Sequence, residues 1–532
     1  MLKFHSVKQL RTHYLGNICP SLAVMVLSII LAGAIRVGFI LDSPFPINDG
    51  GLFYTMTEEL IVNNFRLPEF SNYNNLQIPY AYPPLAFYLL GFLTSFLGWD
   101  LLSIFRILPV FFSLLTIPAF YYLIKILKFD DLLIGLSVLI FSLLPSTFEW
   151  LVMGGGVTRA PGFLFSLLAT RSIYLLYTRE KKRDILLTSI YSSLTILFHP
   201  ESAIHTVAAA LVFFFILGRS KKALIKSLFV VGIVLIMTSP WWLQIVAVHG
   251  LNPFLSAGST GFYELGNYLS LLVFDFTGEF GLTSIGLLSL IGVFFAISKK
   301  QLLLPVWLIL TFVIEPRSAP LYMSPVMTVL AATTILVLGE QIGKAFLKSG
   351  CASDNPFDTL INKILLTLLV VQWCISSAFT LNQLLTTQTL TQSDLDAIKW
   401  VEENSSKDSQ FLILTGMRSF RDPLAEWFPA ISRRISITTV QGKEWDKEIE
   451  FSRVLEANTE FQMCAFIEPK CTANWVDKNQ VGYDYLIIRK SNQTLEDGRV
   501  IQTSGIDFSS TLELESHFLV FQNGDLGIYQ KQ

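Results

Sequence analysis

Residues that could carry out chemistry occur in short polar segments between long apolar runs. These segments hold carboxylate, imidazole and guanidinium side chains, in Asn48-Asp49, Glu149, Arg159, His199-Pro200-Glu201 and Glu315-Pro316-Arg317. A carboxylate within reach of a hydroxyl group can accept its proton as a general base. A guanidinium group binds phosphate oxygens through paired hydrogen bonds. The polar segments therefore contain the side chains that acid–base and phosphate chemistry require.

Asp49 is the candidate general base. It comes just before a helical pattern with one apolar face, formed by Leu52, Phe53, Met56 and Leu60. A helix of this kind would lie along the membrane and place Asp49 at the boundary between lipid and water. The alternative interpretation is structural, because an aspartate before two glycines is also typical of a helix cap or a turn.

Three candidate metal ligands, His199, Glu201 and His205, lie close together in the sequence. Glu201 and His205 are four residues apart, so a helix would present both on one face. Carboxylate and imidazole groups can bind a divalent ion, and Asp49 or Glu149 would complete the set. The alternative is a helix started by Pro200 whose polar residues form hydrogen bonds with neighbouring spans.

Arginine residues are the candidates for holding a phosphate group as it departs. Arg159 and Arg317 are predicted to do so, and Arg106 is predicted to orient the loop before it. Tyr82, which precedes Pro83-Pro84, is a further candidate for substrate binding. For each arginine, a salt bridge or a contact with a lipid headgroup is the alternative.

The elements that position these residues are predicted to be membrane helices. Of 532 residues, 52% are hydrophobic and 15% are charged, and the mean hydropathy is +0.52. This composition excludes an ordinary soluble protein. The net charge of −2 gives no sign of nucleic-acid binding. No cleavage site of small residues follows the first apolar run, so we expect it to remain as a helix.

Apolar runs long enough to cross a bilayer predict a polytopic α-helical membrane protein with about eleven transmembrane helices. The predicted spans are 20–41, 103–124, 132–148, 160–178, 185–199, 202–218, 223–243, 280–298, 301–315, 319–339 and 363–383. The run 82–98 is predicted to be a half-inserted or surface-lying helix within a long first external loop, 42–102. If it were counted as a span, every later link would lie on the opposite side of the membrane.

The polar links fall into two kinds, and this difference predicts their sides of the membrane. One kind is basic, namely Lys125/Lys128, Arg179/Lys181/Lys182/Arg183, Arg219/Lys221/Lys222, Lys299/Lys300 and Lys344/Lys348. Lysine and arginine favour the cytoplasmic face, so we expect a cytoplasmic N-terminus and the reactive links outside. A site outside the cell membrane has no ATP or nucleotide sugars, and therefore needs an activated substrate delivered by the membrane.

The chain divides into residues 1–389, which contain the spans, and a C-terminal extracytoplasmic α/β domain, 390–532. Residues 394–404 have the pattern of an amphipathic helix, and 411–414 that of a buried strand. Asn523-Gly524 between two apolar runs predicts a hairpin. Cys464 and Cys471 are predicted to form a disulfide, because the compartment is oxidising.

The first third of the chain has a combination of features found in a known family. A long external loop follows the first span, Asp49 opens a surface helix, Pro83-Pro84-Leu85 leads into an apolar helix, and Arg106 begins an Arg-x-Leu-Pro pattern. This arrangement resembles the membrane glycosyltransferases of the GT-C fold, in particular the protein O-mannosyltransferases and the lipid A aminoarabinose transferases. The resemblance covers roughly residues 20–180.

The resemblance implies roles for two residues and shows two departures. Asp49 matches the acidic loop residue that is catalytic or metal-associated in the family, and Arg106 matches a family arginine. The family often has a paired Asp-Glu, where this chain has Asp49-Gly50. The aspartate that the family has in its second loop is absent here. Glu149 and Arg159 occur in the corresponding region of this chain.

The implied activity is transfer of a sugar from a polyprenyl-phosphate donor to a protein, lipid or glycan on the extracytoplasmic face, with Asp49 as base. A divalent metal ion would be the cofactor, and membrane lipid would surround the spans. The helix and strand after the last span also resemble oligosaccharyltransferase catalytic subunits, but their WWDYG motif is missing, so peptide recognition is not inferred. Two alternatives remain open: a transporter or flippase, and a non-catalytic membrane anchor for an external binding domain.

Overall fold

A bundle of apolar helices is followed in the chain by a five-stranded mixed sheet with its own helices. The computed structural model describes residues 20–179, 181–258, 268, 277–346, 359–445, 450–467, 470–489, 492–494, 500–502 and 517–532. In the first part the helices are α1 Pro20–Asp42, α2 Gly51–Val62, α3 Leu85–Leu97, α4 Leu101–Lys125, α5 Asp131–Leu143, α6 Gly156–Thr178, α7 Lys182–Phe198, α8 Pro200–Leu217, α9 Lys221–His249, α10 Asn252–Gly258, α11 Ser284–Ser298, α12 Leu303–Ile314, α13 Ala319–Phe346 and α14 Leu360–Thr387.

Each of the predicted spans coincides with a helix, but helix length does not establish their number. Within the described residues, six helices are long and apolar enough to cross a membrane, namely α1, α4, α8, α9, α13 and the helix that begins at Leu360. A seventh span would result if α5 and the short helical turns after it are counted as one. These two parts are bent by 81° relative to each other. At about 1.5 Å per residue, α11 and α12 are shorter than a bilayer core. The chain is a membrane protein with a polytopic helical part, as predicted.

The first predicted external loop contains folded structure. It holds α2, a two-stranded antiparallel ribbon of β1 Phe70–Ser71 and β2 Ile78–Pro79, and α3. Helix α3 starts after Pro84 and stops at Gly98, whose left-handed φ of 69° ends it. With 13 residues, α3 is too short to span a bilayer in a straight line. Phe92 and Phe96 are exposed on α3, as expected for a helix that meets lipid.

Residues after α14 form an α/β domain. Its helices are α15 Gln392–Asn404, α16 Pro423–Ser432, α17 Phe451–Met463 and α18 Lys470–Asn479. Its strands are β3 Gln410–Leu414, β4 Ile435–Ser436, β5 Tyr485–Arg489, β6 Asn492–Thr494, β7 Val500–Gln502, β8 His517–Asn523 and β9 Leu526–Lys531. The main sheet has the order β4-β3-β5-β9-β8, with β6 and β7 paired separately. The helix predicted at 394–404, the strand at 411–414 and the hairpin at Asn523-Gly524 are confirmed.

The segment that follows β3 contacts the helical bundle. Strand β3 pairs in parallel with both neighbours, and the chain places β4 on one side of it and β5 on the other. In such α/β sheets the loops after the carboxyl ends of the strands carry ligand-binding and contact residues. Here the segment between β3 and α16 contacts the first loop, since Asn48 Nδ2 donates to Phe420 O at 3.0 Å.

The two parts of the chain share one hydrophobic core. Phe45, Leu52 and Met56 from the first loop pack in the same cluster as Leu424, Trp427 and Phe428 from α16. The ring centroid of Phe45 lies 4.9 Å from that of Trp427, edge to face. The α/β domain is therefore docked on the end of the bundle that carries Asp49. Within it, Cys464 and Cys471 are joined by a disulfide, with Cα atoms 5.4 Å apart.

Candidate functional site

The backbone before α2 turns sharply and directs Asp49 toward α6. Asn48 has a φ of 53° and Gly50 a φ of 130°, two conformations in the half of the map that most residues avoid. Asparagine tolerates the left-handed region better than other residues with a side chain, and glycine adopts it freely. Main-chain hydrogen bonds hold the turn: Asn48 N–H donates to Gln388 O at 2.6 Å, and Gly154 N–H donates to Ile47 O at 2.8 Å.

The carboxylate of Asp49 is held by two groups at the start of α6. Oδ1 accepts a hydrogen bond from Gly155 N–H at 2.9 Å, and Oδ2 forms an ion pair with Arg159. A Cβ atom at position 155 would lie 2.6 Å from the Asp49 carboxylate, so this close approach requires glycine. The Asp49 and Arg159 side chains are 18% and 14% exposed, so both are mostly shielded and still reachable from outside.

Two arginine side chains near Asp49 lie over the ring of Trp150. Arg159 Nη1 donates to Trp150 O at 2.7 Å, and the guanidinium lies over the Trp150 ring at 5.3 Å. Arg421 from the α/β domain lies over the same ring at 5.2 Å and pairs with Glu149 at 2.9 Å. Glu149, which the sequence offered as a metal ligand, therefore contributes to the contact between the domain and the bundle.

A second polar group joins the first loop to the junction of α7 and α8. The Tyr82 hydroxyl group lies 2.7 Å from His199 Nδ1 and 3.2 Å from Thr158 Oγ1. His199 Nε2 lies 3.3 Å from Glu201 Oε2, and Glu201 forms an ion pair with Arg317. Thr158 directly precedes Arg159 on α6, so this second group lies next to the Asp49–Arg159 pair. The structure thus brings together Asp49, Arg159, Tyr82, His199, Glu201 and Arg317.

The predicted metal ligands are not brought together as one set. His205 Nε2 lies 3.3 Å from Glu315 Oε2 and 3.1 Å from Ser318 Oγ, and its ring stacks on Tyr322 at 4.1 Å. His199 and Glu201 contact Tyr82 and Arg317 instead, and Asp49 is paired with Arg159. Among the described residues, no group of three or more histidine, cysteine or acidic residues is arranged to hold a metal ion. In the described part of the chain His199, Glu201 and His205 therefore do not surround one common point, and each of them contacts another side chain.

Arg106 lies on α4 and contacts the end of α1. Its Nη2 atom donates to Ile40 O at 3.4 Å, close to where α1 leads into the first loop. The predicted role of Arg106 in orienting the loop stays a prediction, with which this contact is compatible. The contact links Arg106 to the main chain of α1, in contrast to the side-chain network between Asp49 and Arg317.

Three acidic or aromatic residues of the α/β domain at this site were missed by the sequence analysis. Glu426 Oε1 accepts from Gly50 N–H at 2.7 Å, and Trp427 Nε1 donates to Asn48 O at 2.8 Å. Burial raises the pKa of Glu426 to about 7. Burial also raises the pKa of Glu444, whose Oε2 has no hydrogen-bond partner in the described part of the chain. Nothing in the spacing of these residues indicates that they fold back onto a loop far away in the sequence.

Other surface hollows lie away from this network. One, open to solvent and of about 500 Å³, is bordered by Glu58, Glu59 and Arg433 among others. Another, of about 290 Å³, lies beside the disulfide. The network around Asp49 is instead characterised by its buried charges and by the meeting of the first loop, α6 and α16.

Comparison of the fold with solved structures finds clear neighbours. The archaeal oligosaccharyltransferase AglB from Archaeoglobus fulgidus, in complex with an inhibitory peptide and a dolichol-phosphate, matches with a TM-score of 0.53 at 12% identity, over 88% of this chain and 69% of that one. ArnT from Cupriavidus metallidurans bound to undecaprenyl phosphate matches with a TM-score of 0.51 at 12% identity, over 95% and 98% of the two chains.

A third neighbour is the arabinofuranosyltransferase AftD from Mycobacteria, with a TM-score of 0.51 at 13% identity over 96% of this chain and 40% of that one. A second AglB structure is a complex with Zn and sulfate. No protein-family model and no curated protein sequence matches the chain. At these identities the likeness concerns the fold, and the chain has the GT-C fold that its first third resembles.

Proposed function

We propose that this protein is a membrane glycosyltransferase that moves a sugar from a polyprenyl-phosphate donor to a hydroxyl acceptor on the extracytoplasmic face. The observation that carries the proposal is the carboxylate of Asp49, fixed between Gly155 N–H and Arg159. It lies at the end of a GT-C helical bundle, where an α/β domain docks. The residue types at this point suit proton removal and phosphate binding together.

The orientation in the membrane follows from the distribution of charge. Asp49, Glu149, His199 and Arg317 all belong to the end of the bundle that contacts the α/β domain. Basic residues lie at the other ends of the helices, for example Lys125 at the end of α4. By the preference of lysine and arginine for the cytoplasm, the site and the domain are extracytoplasmic and the N-terminus is cytoplasmic.

In the proposed reaction Asp49 acts as the general base. The acceptor hydroxyl group gives its proton to Asp49, its oxygen bonds to the anomeric carbon of the sugar, and the bond from that carbon to the phosphate oxygen breaks. A carboxylate has about four lone-pair positions, so the contacts with Gly155 and Arg159 leave room for an acceptor hydroxyl. Those two contacts also fix the direction in which the carboxylate points, which is what positioning for proton transfer requires.

Arg317 is the proposed holder of the departing phosphate. Its side chain is 37% exposed, so a lipid-linked phosphate can reach it, and it is anchored by Glu201. Glu201 is anchored in turn by His199, and His199 by Tyr82, so the first loop and Arg317 belong to one polar network. A guanidinium group stabilises the negative charge that the phosphate gains as the sugar leaves. Arg159 supplies positive charge beside Asp49, and no step is assigned to a metal ion.

The neighbours support the donor class. AglB is solved with a dolichol-phosphate and ArnT with undecaprenyl phosphate, both of which are polyprenyl phosphates. AglB is also solved with an acceptor peptide. For this chain the acceptor remains any of the predicted classes, namely protein, lipid or glycan, with membrane lipid around the spans.

A test of the proposal compares two aspartates of the same loop. Full-length protein in lipid nanodiscs is incubated with undecaprenyl-phosphate and dolichyl-phosphate sugars and a cell-envelope extract that contains acceptors. Release of free polyprenyl phosphate is measured by mass spectrometry. We expect Asp49→Asn to abolish release, and Asp42→Asn, an exposed residue at the end of α1, to behave as wild type. Full release by the Asp49 variant, or none by wild type with every donor, would contradict the proposal.

A further inference from the structure

The two main-chain groups that flank Asp49 are bonded to consecutive residues of α16. On one side Gly50 N–H donates to Glu426 Oε1 at 2.7 Å, and on the other Asn48 O accepts from Trp427 Nε1 at 2.8 Å. The Asp49 side chain itself contacts Gly155 and Arg159 of the bundle. The α/β domain thus contacts the backbone on either side of Asp49, while the bundle holds its carboxylate.

The turn around Asp49 needs such support. Asn48 has a positive φ of 53°, and a residue other than glycine persists in this sparsely populated region when its surroundings fix it. A buried main-chain N–H without an acceptor is also costly, and Glu426 supplies that acceptor for Gly50. Loss of either contact with α16 would let the turn relax and move the carboxylate relative to Arg317.

Helix α16 is itself held in place from several directions. Asp422 caps its first turn by accepting from Ala425 N–H at 3.1 Å, and also accepts from Thr415 Oγ1 at 2.6 Å. The Tyr73 hydroxyl group, from the first loop, donates to Glu426 O at 2.5 Å. The Trp427 ring packs edge to face against Phe45 and Phe105. These contacts define the position and orientation of Glu426 and Trp427.

We infer that Glu426 and Trp427 are positioning residues of the catalytic centre, so that the α/β domain is a working part of the site. Glu426 fixes the amide of Gly50, Trp427 fixes the carbonyl of Asn48, and together they hold Asp49 in the direction from which it can accept a proton. Neither residue touches the reacting atoms. This inference rests on the proposed function, in which Asp49 is the base.

The test uses the full-length protein in nanodiscs and two readouts, one of which needs no substrate. Hydrogen exchange measured by mass spectrometry follows the amides of residues 43–56. Turnover is measured with undecaprenyl-phosphate mannose and undecaprenyl-phosphate aminoarabinose, whichever the wild type consumes. The variants are Glu426→Ala, Glu426→Gln and Trp427→Phe, with Glu402→Ala and Trp400→Phe on α15 as matched controls in the same domain.

We expect Glu426→Ala and Trp427→Phe to speed exchange in 43–56 and to lower kcat by up to about 100-fold with little change in KM, because misplacement of about 1 Å has effects of this size. Glu426→Gln keeps an oxygen that accepts from Gly50 N–H, so it retains kcat and slow exchange. Both controls behave as wild type. A merely structural role would lower the melting temperature without changing the kcat of the folded fraction.

Two outcomes separate this inference from the function on which it rests. If Asp49→Asn is inactive while Glu426→Ala and Trp427→Phe keep wild-type kcat and exchange, the inference is wrong and the proposed function stands. If Asp49→Asn is active, the proposed function fails, and the exchange data still show whether α16 holds the turn. Should Glu426→Ala fail to fold, Trp427→Phe decides the question in the same assays.

Discussion

The hydroxyl group of Tyr82 lies 2.7 Å from Nδ1 of His199, and this contact connects the first loop to the junction of α7 and α8. In a neutral imidazole whose Nε2–H faces Glu201, Nδ1 accepts from the tyrosine. Glu201 then pairs with Arg317, so Tyr82 is linked to Arg317 through His199 and Glu201. Tyr82, a candidate for substrate binding from the sequence, thus belongs to the network that holds the proposed phosphate site.

Replacement of Tyr82 by Phe removes this hydroxyl group and leaves the buried His199 nitrogen without its partner. Since an unmade buried hydrogen bond costs about 1–3 kcal/mol, we expect the KM for the lipid-linked donor to rise by roughly 5- to 100-fold. Tyr88→Phe is the matched control, because Tyr88 donates to Phe65 O at 3.1 Å, away from this network. Steady-state kinetics with varied donor concentration measures the change, and an unaltered KM would remove Tyr82 from donor binding.

Arg159→Lys tests the pairing of Asp49. An ammonium group keeps the charge but cannot reproduce the planar fork that contacts both Asp49 and Trp150 O. We expect kcat to fall on the order of 100-fold, as for other misplaced catalytic groups. Arg171→Lys, farther along α6, is the control, since Arg171 Nε donates to Tyr122 O at 3.3 Å. Equal activity of the two variants would show that the fork at Arg159 is dispensable.

The raised pKa of Glu426 predicts that the stability of the protein depends on pH. Burial raises the pKa of this side chain from 4.5 to about 7, while Arg159 and Glu444 are the charged groups that face it. A raised pKa means that the folded protein binds the proton more tightly than the unfolded chain. The stability contributed by protonated Glu426 is therefore fully present below pH 4.5 and is lost as the pH rises to about 7.

The measurement is the difference in melting temperature between wild type and Glu426→Gln from pH 4 to pH 8. At 1.36 kcal/mol per pKa unit, wild type should lose about 3 kcal/mol relative to the variant across this interval. Titrations of other groups are common to both proteins and cancel in the difference. A difference that stays constant with pH would mean that Glu426 does not titrate in this range.

Removal of metal ions tests whether arginine side chains, and not a metal ion, supply the positive charge at the site. Because Arg159 already pairs with Asp49, and His205 with Glu315, we expect EDTA to leave the rate of sugar transfer unchanged. Rates before and after dialysis against EDTA, and after addition of Mn²⁺ or Zn²⁺, provide the comparison. Loss of activity that a divalent ion restores would return His199, Glu201 and His205 to the role of ligands.

The fold was largely predictable because membrane helices depend on long apolar runs that can be read locally. Each predicted span falls on a helix, and α3 is a short apolar helix as expected for 82–98. Helix length was harder to predict, because a run such as 301–315 yields only α12, Leu303–Ile314. The bend after α5 is a second reason: because helices can bend, the number of apolar runs need not equal the number of straight spans.

The site was predictable only in part. The sequence offered Asp49, Arg159 and Arg317 as candidates because they lie in polar links predicted on one side of the membrane, and the structure places Asp49 beside Arg159. It could not indicate which acid pairs with which base, so His205 was assigned to a metal although it faces Glu315. Glu426 and Trp427 were missed because their contacts with Asn48 and Gly50 cross more than 370 positions of sequence separation.

The most direct test of this account is a structure of the full-length protein with a bound polyprenyl-phosphate sugar. We predict that the phosphate contacts Arg317, that the anomeric carbon of the sugar points toward the Asp49 carboxylate, and that the lipid tail leaves between helices into the bilayer. A phosphate bound at the opposite end of the bundle, beside the basic links that include Lys125, would contradict the account.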